Sequence, residues 1–199
     1  MIDNFEKIKE FLNFNEGEFY FLQILKRKKE NPEQTGNSKV IKTYYISNFE
    51  YLNSIEEEVK SLCHFFNARA YIGLNRRNSK KIALYMLKEV TDLILNEQYG
   101  AVKNAYNTCC GQYTVGDKIW IVDIDDKSDS IVDKFITAIN QCQCQSGYDQ
   151  IILGTLPTIN GWHLLTRPFN LKQLEPFLSI YPADIHKNNP TLLYYKNIN

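Results

Sequence analysis

The stretch WIVDID, at residues 120–125, alternates apolar side chains with two aspartates. In a β-strand, residues two positions apart face the same side, so Asp123 and Asp125 point together while Val122 and Ile124 point into a core. Two neighbouring carboxylates repel each other unless a cation lies between them, and Mg²⁺ or Mn²⁺ prefers oxygen ligands. The stretch therefore indicates a divalent-metal site. The competing interpretation is that Asp125 and the adjacent Asp126 only end the strand or form a turn.

Two later segments carry residues that could complete such a site. In TINGWHLLTRPF (158–169), strand parity places His163 and Arg167 on one face, where imidazole and guanidinium groups suit phosphates. In PADIHKNNPTLLYY (182–195), Asp184 would bring a third carboxylate on a neighbouring strand. Taken singly, these residues also fit a hydrogen-bonded structural histidine, a surface arginine and a loop aspartate.

Hydrophobic periodicity predicts the elements that position these residues. Helical spacing covers residues 3–14, 48–66, 79–98, 129–142 and 171–180, and strand-like runs cover 18–25, 40–46, 68–74, 118–125, 149–158, 162–169 and 191–195. Ser79 is expected as an N-cap, and Asn160 with Gly161 predicts a hairpin. We expect an α+β fold in one domain with two lobes. An N-terminal α/β lobe covers about 1–115, and a β-α-β-β-α-β unit of ferredoxin-like or RRM-like type covers about 116–199.

In this order, the three segments resemble the archaeo-eukaryotic primase superfamily, including its primase–polymerase branch. That superfamily is marked by an apolar-D-apolar-D/E strand, then small-x-His, then apolar-Asp, which correspond here to IVDID (121–125), GWH (161–163) and AD (183–184). The run DIHKNNPTLLYY is similar to the D-x-x-V-Y-x-x-N-R-x-x-R-L run of primase–polymerases, with Asp184 and Asn188 at matching or nearly matching positions. The resemblance covers about 118–195, and an RRM-like unit is also the catalytic unit of that superfamily.

The resemblance implies a metal-dependent nucleotidyltransferase that adds nucleotides on a DNA or RNA template. Its partners would be the template, nucleoside triphosphates and replication proteins. Asp123, Asp125 and Asp184 would bind two Mg²⁺ or Mn²⁺ ions, and His163 would contact the phosphates of the incoming nucleotide. Three further residues would contact the nucleotide or the nucleic acid: Arg167, Lys187 and Asn188.

Two alternative functions use the same residues. A metal-dependent nuclease or phosphodiesterase would employ the carboxylates with His163 as general acid or base. A non-catalytic relative would bind nucleotides or nucleic acid without polymerising them. This second alternative draws on a departure from the family pattern, because Pro190, Thr191 and Leu193 replace the R-x-x-R pair.

Two basic clusters, KRKK (26–29) and NRRNSKK (75–81), could contact a nucleic acid. The second runs from a predicted strand end into a helix start, and a helix N-terminus binds phosphate well. The residues expected to follow a template strand are Arg69, Arg76, Arg77, Lys80 and Lys81. Tyr71 lies nearby for base stacking. The simpler interpretation of this cluster is a solvated helix end.

The composition bounds the functional class. The 199 residues include 23 Lys plus Arg and 23 Asp plus Glu, so a uniformly basic nucleic-acid-binding surface is excluded. No apolar run is long enough for a transmembrane helix and the N-terminus lacks a signal-peptide pattern, so we expect an intracellular protein without a membrane partner. A compact chain of this kind would suit a phage or mobile element. The odd number of cysteines, five, argues against a disulfide framework, and their C-C and C-x-C spacings argue against a zinc site.

Overall fold

The computed structural model describes residues 1–145 and 147–196. Within these residues the fold is α+β, with two antiparallel sheets and six α-helices. The strands are β1 (Ile2–Asp3), β2 (Glu18–Arg27), β3 (Ser38–Ile46), β4 (Arg69–Asn78), β5 (Trp120–Ile124), β6 (Ile152–Pro157), β7 (Trp162–Thr166), β8 (Asp184–His186) and β9 (Thr191–Tyr195). The helices are α1 (Phe5–Lys9), α2 (Phe49–Phe66), α3 (Ser79–Leu95), α4 (Ala105–Gln112), α5 (Asp129–Asn140) and α6 (Leu171–Leu178), with a 3-10 helix at Tyr99–Asn104.

The first sheet has the strand order β1-β9-β4-β2-β3. Helices α1 and α2 pack on one of its faces, where apolar side chains at alternate strand positions form the larger core. Strands β2 and β3 are longer than predicted, and their ladder runs from Tyr20 opposite Ile46 to Arg27 opposite Ser38. The basic segment at 26–29 therefore begins inside a strand rather than in a loop.

The other face of the first sheet is covered in part by α3 and α4. Ile82 of α3 and Cys109 and Cys110 of α4 pack on Phe19 and Phe21. The 3-10 helix and α4 were not predicted from the sequence, because the region 99–112 has only a weak amphipathic pattern. The predicted N-cap of α3 was wrong by one residue: the side chain of Asn78, not Ser79, accepts a hydrogen bond of 3.1 Å from the Lys81 amide.

The second sheet has the strand order β6-β7-β5-β8, and α5 and α6 cover one of its faces. Its opposite face contributes Ile121, Leu156 and Leu165 to the larger core, so this face is directed toward the first sheet. The hairpin predicted at Asn160 and Gly161 is confirmed by the antiparallel pairing of β6 with β7.

The prediction that residues 191–195 form the last strand of the β-α-β-β-α-β unit was wrong. Residues 191–195 form β9, which pairs with β4 and β1 in the first sheet. All five residues of β9 are buried, which is expected of a strand with neighbours on both sides and cover on both faces. The short strand β8 pairs with β5 in its place.

Two buried asparagines join the sheets. The Asn4 amide donates to the carbonyl of Leu192 in β9 at 2.9 Å and to that of Pro157 in β6 at 3.0 Å. The Asn75 side chain, on β4, donates to the Ile119 carbonyl at 3.1 Å and accepts from the Ile119 amide at 2.7 Å. These bonds fix the start of β5 and the end of β6 against the first sheet.

The part of the chain that the structure describes contains no helix with the length and apolar character needed to cross a bilayer.

Candidate functional site

The three segments singled out in the sequence meet on one face of the second sheet. Asp123 of β5 lies directly opposite His163 of β7 on one side and Asp184 of β8 on the other. Residues opposite each other on antiparallel strands share a face, and Ile121 on this same face packs into the core between the sheets. Asp123 and His163 therefore lie where the two sheets separate.

His163 is held at both ring nitrogens. Its Nε2 lies 3.4 Å from Asp123 Oδ1, and its Nδ1 lies 2.8 Å from the hydroxyl of Thr191 in β9. The hydrogen bond from His163 lowers the pKa of Asp123, and this effect outweighs burial of the carboxyl group, which acts in the opposite direction. Asp123 is therefore an ionised carboxylate at neutral pH, as a metal ligand must be.

A second histidine, His186 of β8, also approaches Asp123. Its Nε2 lies 3.9 Å from Asp123 Oδ2, and its Nδ1 lies 3.0 Å from the Asn189 side-chain amide. His186 was not among the residues predicted from the sequence, although Asp184 was expected on a strand of the same segment. The alternation in DIH, two residues from Asp184 to His186, was the signal that could have found it.

The aspartates after β5 have different environments. Asp125 is exposed and lines a cleft of about 530 Å³ together with Asp123, His163 and His186. The Asp126 carboxylate accepts a 2.7 Å hydrogen bond from the Ser128 amide and so forms the turn that precedes α5. The turn-forming role that the sequence left open for both residues thus applies to Asp126.

Asp184 is exposed and is not part of the cleft lining, although its strand position is opposite Asp123. Within residues 1–145 and 147–196, no group of three or more His, Cys, Asp or Glu side chains is arranged to hold a metal ion. The cleft therefore presents an open pair of carboxylates, Asp123 and Asp125, with oxygen donors of the type that Mg²⁺ and Mn²⁺ prefer.

The opposite wall of the cleft belongs to the first sheet and is cationic. Arg27 and Lys29 come from the β2–β3 hairpin, and Arg69 and Tyr71 come from β4. The Tyr71 hydroxyl accepts from Arg27 Nη1 at 3.0 Å and from Arg69 Nη1 at 3.3 Å. Arg69 is also paired with Glu30, and its guanidinium lies 5.1 Å from the centre of the Tyr195 ring.

Arg69 was predicted as a nucleic-acid contact, and the structure brings it into the cleft. Arg27 was named only as part of a basic cluster. Its inclusion in a strand, on the same face as Leu25, directs it into the cleft.

Arg77 is a correction to the predicted nucleic-acid surface. It is only 2% exposed, its Nε donates to the Cys110 carbonyl at 2.8 Å, and burial lowers the pKa of its guanidinium to about 10. Arg76 forms an ion pair of 3.0 Å with Glu18. Both arginines belong to β4, which extends to Asn78 rather than ending at residue 74, whereas α3 begins at Ser79 as predicted.

The other predicted contacts lie outside the cleft lining. Lys80 and Lys81 are exposed in the first turn of α3. The Arg167 guanidinium stacks on the Tyr148 ring at 3.6 Å. Lys187 and Asn188 follow β8: the Lys187 ammonium lies 5.1 Å from the Trp120 ring, and the Asn188 side chain donates to the Gly111 carbonyl at 3.0 Å.

The backbone packing around Gly161 explains why a small residue lies two positions before His163. A Cβ atom at Gly161 would lie 1.9 Å from the Ile124 carbonyl oxygen and 2.7 Å from the Asp126 amide nitrogen. The β6–β7 turn therefore lies directly on the backbone that carries Asp125. Only glycine permits this approach.

Comparison of the chain with protein-family models, with curated proteins and with solved structures gives no match.

Proposed function

We propose that the protein is a metal-dependent nucleotidyltransferase of primase type that adds nucleotides on a nucleic-acid template. The observation that carries the proposal is the pairing of opposite charges across one cleft. Asp123 and Asp125 lie on one wall, and Arg27, Lys29 and Arg69 lie on the other. A nucleoside triphosphate with its divalent cation carries both signs of charge and can satisfy both walls at once.

The fold supports this proposal. The element order from β5 to β8 is β-α-β-β-α-β, the order of ferredoxin-like and RRM-like units. Asp123 and His163 lie on its two central strands, and Asp125 follows the first of them directly. A cleft of about 530 Å³ is also within the usual size range of small-molecule sites.

The residues of the chain have distinct proposed roles. Asp123 and Asp125 hold the cation, which when bound supplies Lewis-acid stabilisation of the reacting phosphate. His163, fixed by Thr191, would turn its Nε2 donor from Asp123 to a phosphate oxygen once the cation takes the carboxylate. Arg27 and Lys29 neutralise the remaining phosphate charge from the opposite wall.

A metal-dependent phosphodiesterase is the second candidate, and His186 is the observation that favours it. Imidazoles on two sides of Asp123 could serve as general acid and general base in hydrolysis of a phosphodiester.

Calorimetric titration of Mn²⁺, with and without a nucleoside triphosphate, tests the proposed site. Wild type should bind Mn²⁺ more tightly with the triphosphate, and Asp123→Asn should weaken this binding by roughly 100-fold. Asp126→Asn is the matched control, because it changes a neighbouring carboxylate that only forms a turn, and its binding should equal that of wild type. Equal binding by Asp123→Asn and wild type would refute the metal site.

Incubation with a primed template and with a labelled oligonucleotide separates the two candidates. Extension of the primer, lost in Asp123→Asn, supports the nucleotidyltransferase. Shortening of the oligonucleotide supports the phosphodiesterase, and metal binding without either reaction would support a non-catalytic nucleotide-binding protein.

A further inference from the structure

Helix α3 exposes an apolar stripe that none of the cores described above uses. The helix is fixed to the first sheet by Ile82, its only fully buried residue, and by the partly buried Met86. Besides Tyr85, four large aliphatic side chains are exposed: Leu84 by 57%, Leu87 by 61%, Ile94 by 48% and Leu95 by 76%. These residues line neither wall of the candidate cleft.

The spacing of the exposed residues places most of them on one face of the helix. Leu84, Leu87, Thr91 and Leu95 follow one another at intervals of three or four residues, so they form one face of the helix. At about 100° per residue, this face is roughly opposite Ile82 and Met86. The stripe therefore points away from the body of the protein, as the contact surface of a partner does.

The charges of α3 indicate what covers it. Lys80 and Lys81 lie in its first turn and Lys88 just past its midpoint, whereas Glu89 and Asp92 lie in its C-terminal half and Glu97 just beyond its end. Its first turn has no acidic residue and its last turn no basic residue. This distribution opposes the helix dipole, which favours acids at the N-terminus and bases at the C-terminus.

We propose that α3 binds the α3 helix of a second copy of this chain, antiparallel and about a two-fold axis. In this arrangement the N-terminal lysines of each copy lie beside the C-terminal acids of the other. Placing Leu84 opposite Leu95 of the second copy puts the axis between residues 88 and 91. The same register brings Lys88 within about one residue of direct opposition to Asp92 of the second copy, on the same flank of the stripe.

The overall charge is compatible with self-association. The chain has equal numbers of acidic and basic residues, so two copies do not repel each other at long range. In this dimer Lys80 and Lys81 lie at the interface between copies rather than on a template strand.

Sedimentation velocity at micromolar concentration tests the dimer. Wild type should sediment at about 47 kDa, which is twice the 23.3 kDa of one chain. The double variant Leu84→Glu with Leu95→Glu should sediment as a monomer with an unchanged circular dichroism spectrum. Phe65→Glu is the control, because Phe65 of α2 is 79% exposed but lies off the stripe, and it should remain dimeric. A monomeric wild type or a dimeric double variant would overturn the proposal.

Disulfide cross-linking tests the orientation of the helices. Under mild oxidation Thr91→Cys, near the axis, should form a covalent dimer well above the background of wild type, whose cysteines are buried except for the partly exposed Cys144. Lys80→Cys should not, because the two copies of residue 80 would lie roughly 30 Å apart in an antiparallel pair. Cross-linking of Lys80→Cys as efficiently as Thr91→Cys would indicate parallel helices and overturn the register.

Discussion

Replacing Gly161 with alanine should both destabilise the fold and disturb the candidate site. The added Cβ would lie 1.9 Å from the Ile124 carbonyl oxygen, whereas ordinary contacts begin at 3.4 Å, so the two backbones must separate by about 1.5 Å. The atoms in the way belong to the backbone of Ile124 and Asp126, so a change of side-chain rotamer does not relieve the clash.

The expected magnitude follows from this separation. Overpacking of a well-packed site usually costs about 1–3 kcal/mol. A backbone clash belongs at the upper end, so we expect a loss of about 3 kcal/mol in the free energy of unfolding. Asp125 follows the displaced Ile124 directly, and a displacement of about 1 Å at a site can reduce its function by roughly 100-fold. Binding of Mn²⁺ with a nucleoside triphosphate should therefore weaken by at least about tenfold.

Urea denaturation measures the first effect and calorimetry the second. Gly111→Ala is the matched control, because a Cβ at this helical position meets nothing within 4 Å, and alanine there should be neutral or stabilising by up to about 1 kcal/mol. If Gly161→Ala lies within about 0.5 kcal/mol of wild type, the close approach of the turn to β5 is not a constraint in solution. That result would refute the steric explanation of the GWH motif.

Three further substitutions test the remaining assignments. Arg77→Met should lower the free energy of unfolding by about 1–3 kcal/mol, because the Cys110 carbonyl loses its donor. The affinity for single-stranded DNA should not change, and weaker DNA binding would mean that Arg77 belongs to the nucleic-acid surface. Arg27→Gln should reduce the slope of log affinity against log salt by about 1 in DNA-binding titrations, and an unchanged slope would remove Arg27 from the binding surface. Asn75→Ala should lower the free energy of unfolding, measured by urea denaturation, by about 2–3 kcal/mol, because both backbone groups of Ile119 lose a partner. A loss below about 1 kcal/mol would mean that Asn75 does not hold the sheets together.

The local part of the candidate site was predictable from the sequence. Strand parity placed Asp123 and Asp125 on one side, and a tight turn placed His163 early in a returning strand. Both inferences depend on neighbours in the chain, and the pairing of β5 with β7 brings Asp123 and His163 together as expected. The α+β class and the main helices and strands followed from the same local patterns.

The opposite wall was not predictable, because it depends on which sheet each strand joins. The run at 191–195 has the composition of a buried strand in either sheet, and only long-range pairing assigns it to the first. Arg77 illustrates a related limit. Its burial depends on α4, whose two adjacent cysteines give little indication of a helix, so its basic neighbours in sequence made it resemble a surface residue.

Asn4 and Asn75 join the sheets through amides, which do not ionise. Hydrogen bonds between neutral groups are little affected by ionic strength, whereas interactions between exposed charges are screened within about 10 Å at 0.1 M salt. The distance between the acidic and basic walls of the cleft is therefore set by hydrogen bonds that neither ionic strength nor pH weakens. Ionic strength and pH then act on the charges that face a ligand, and not on the distance between the walls that carry them.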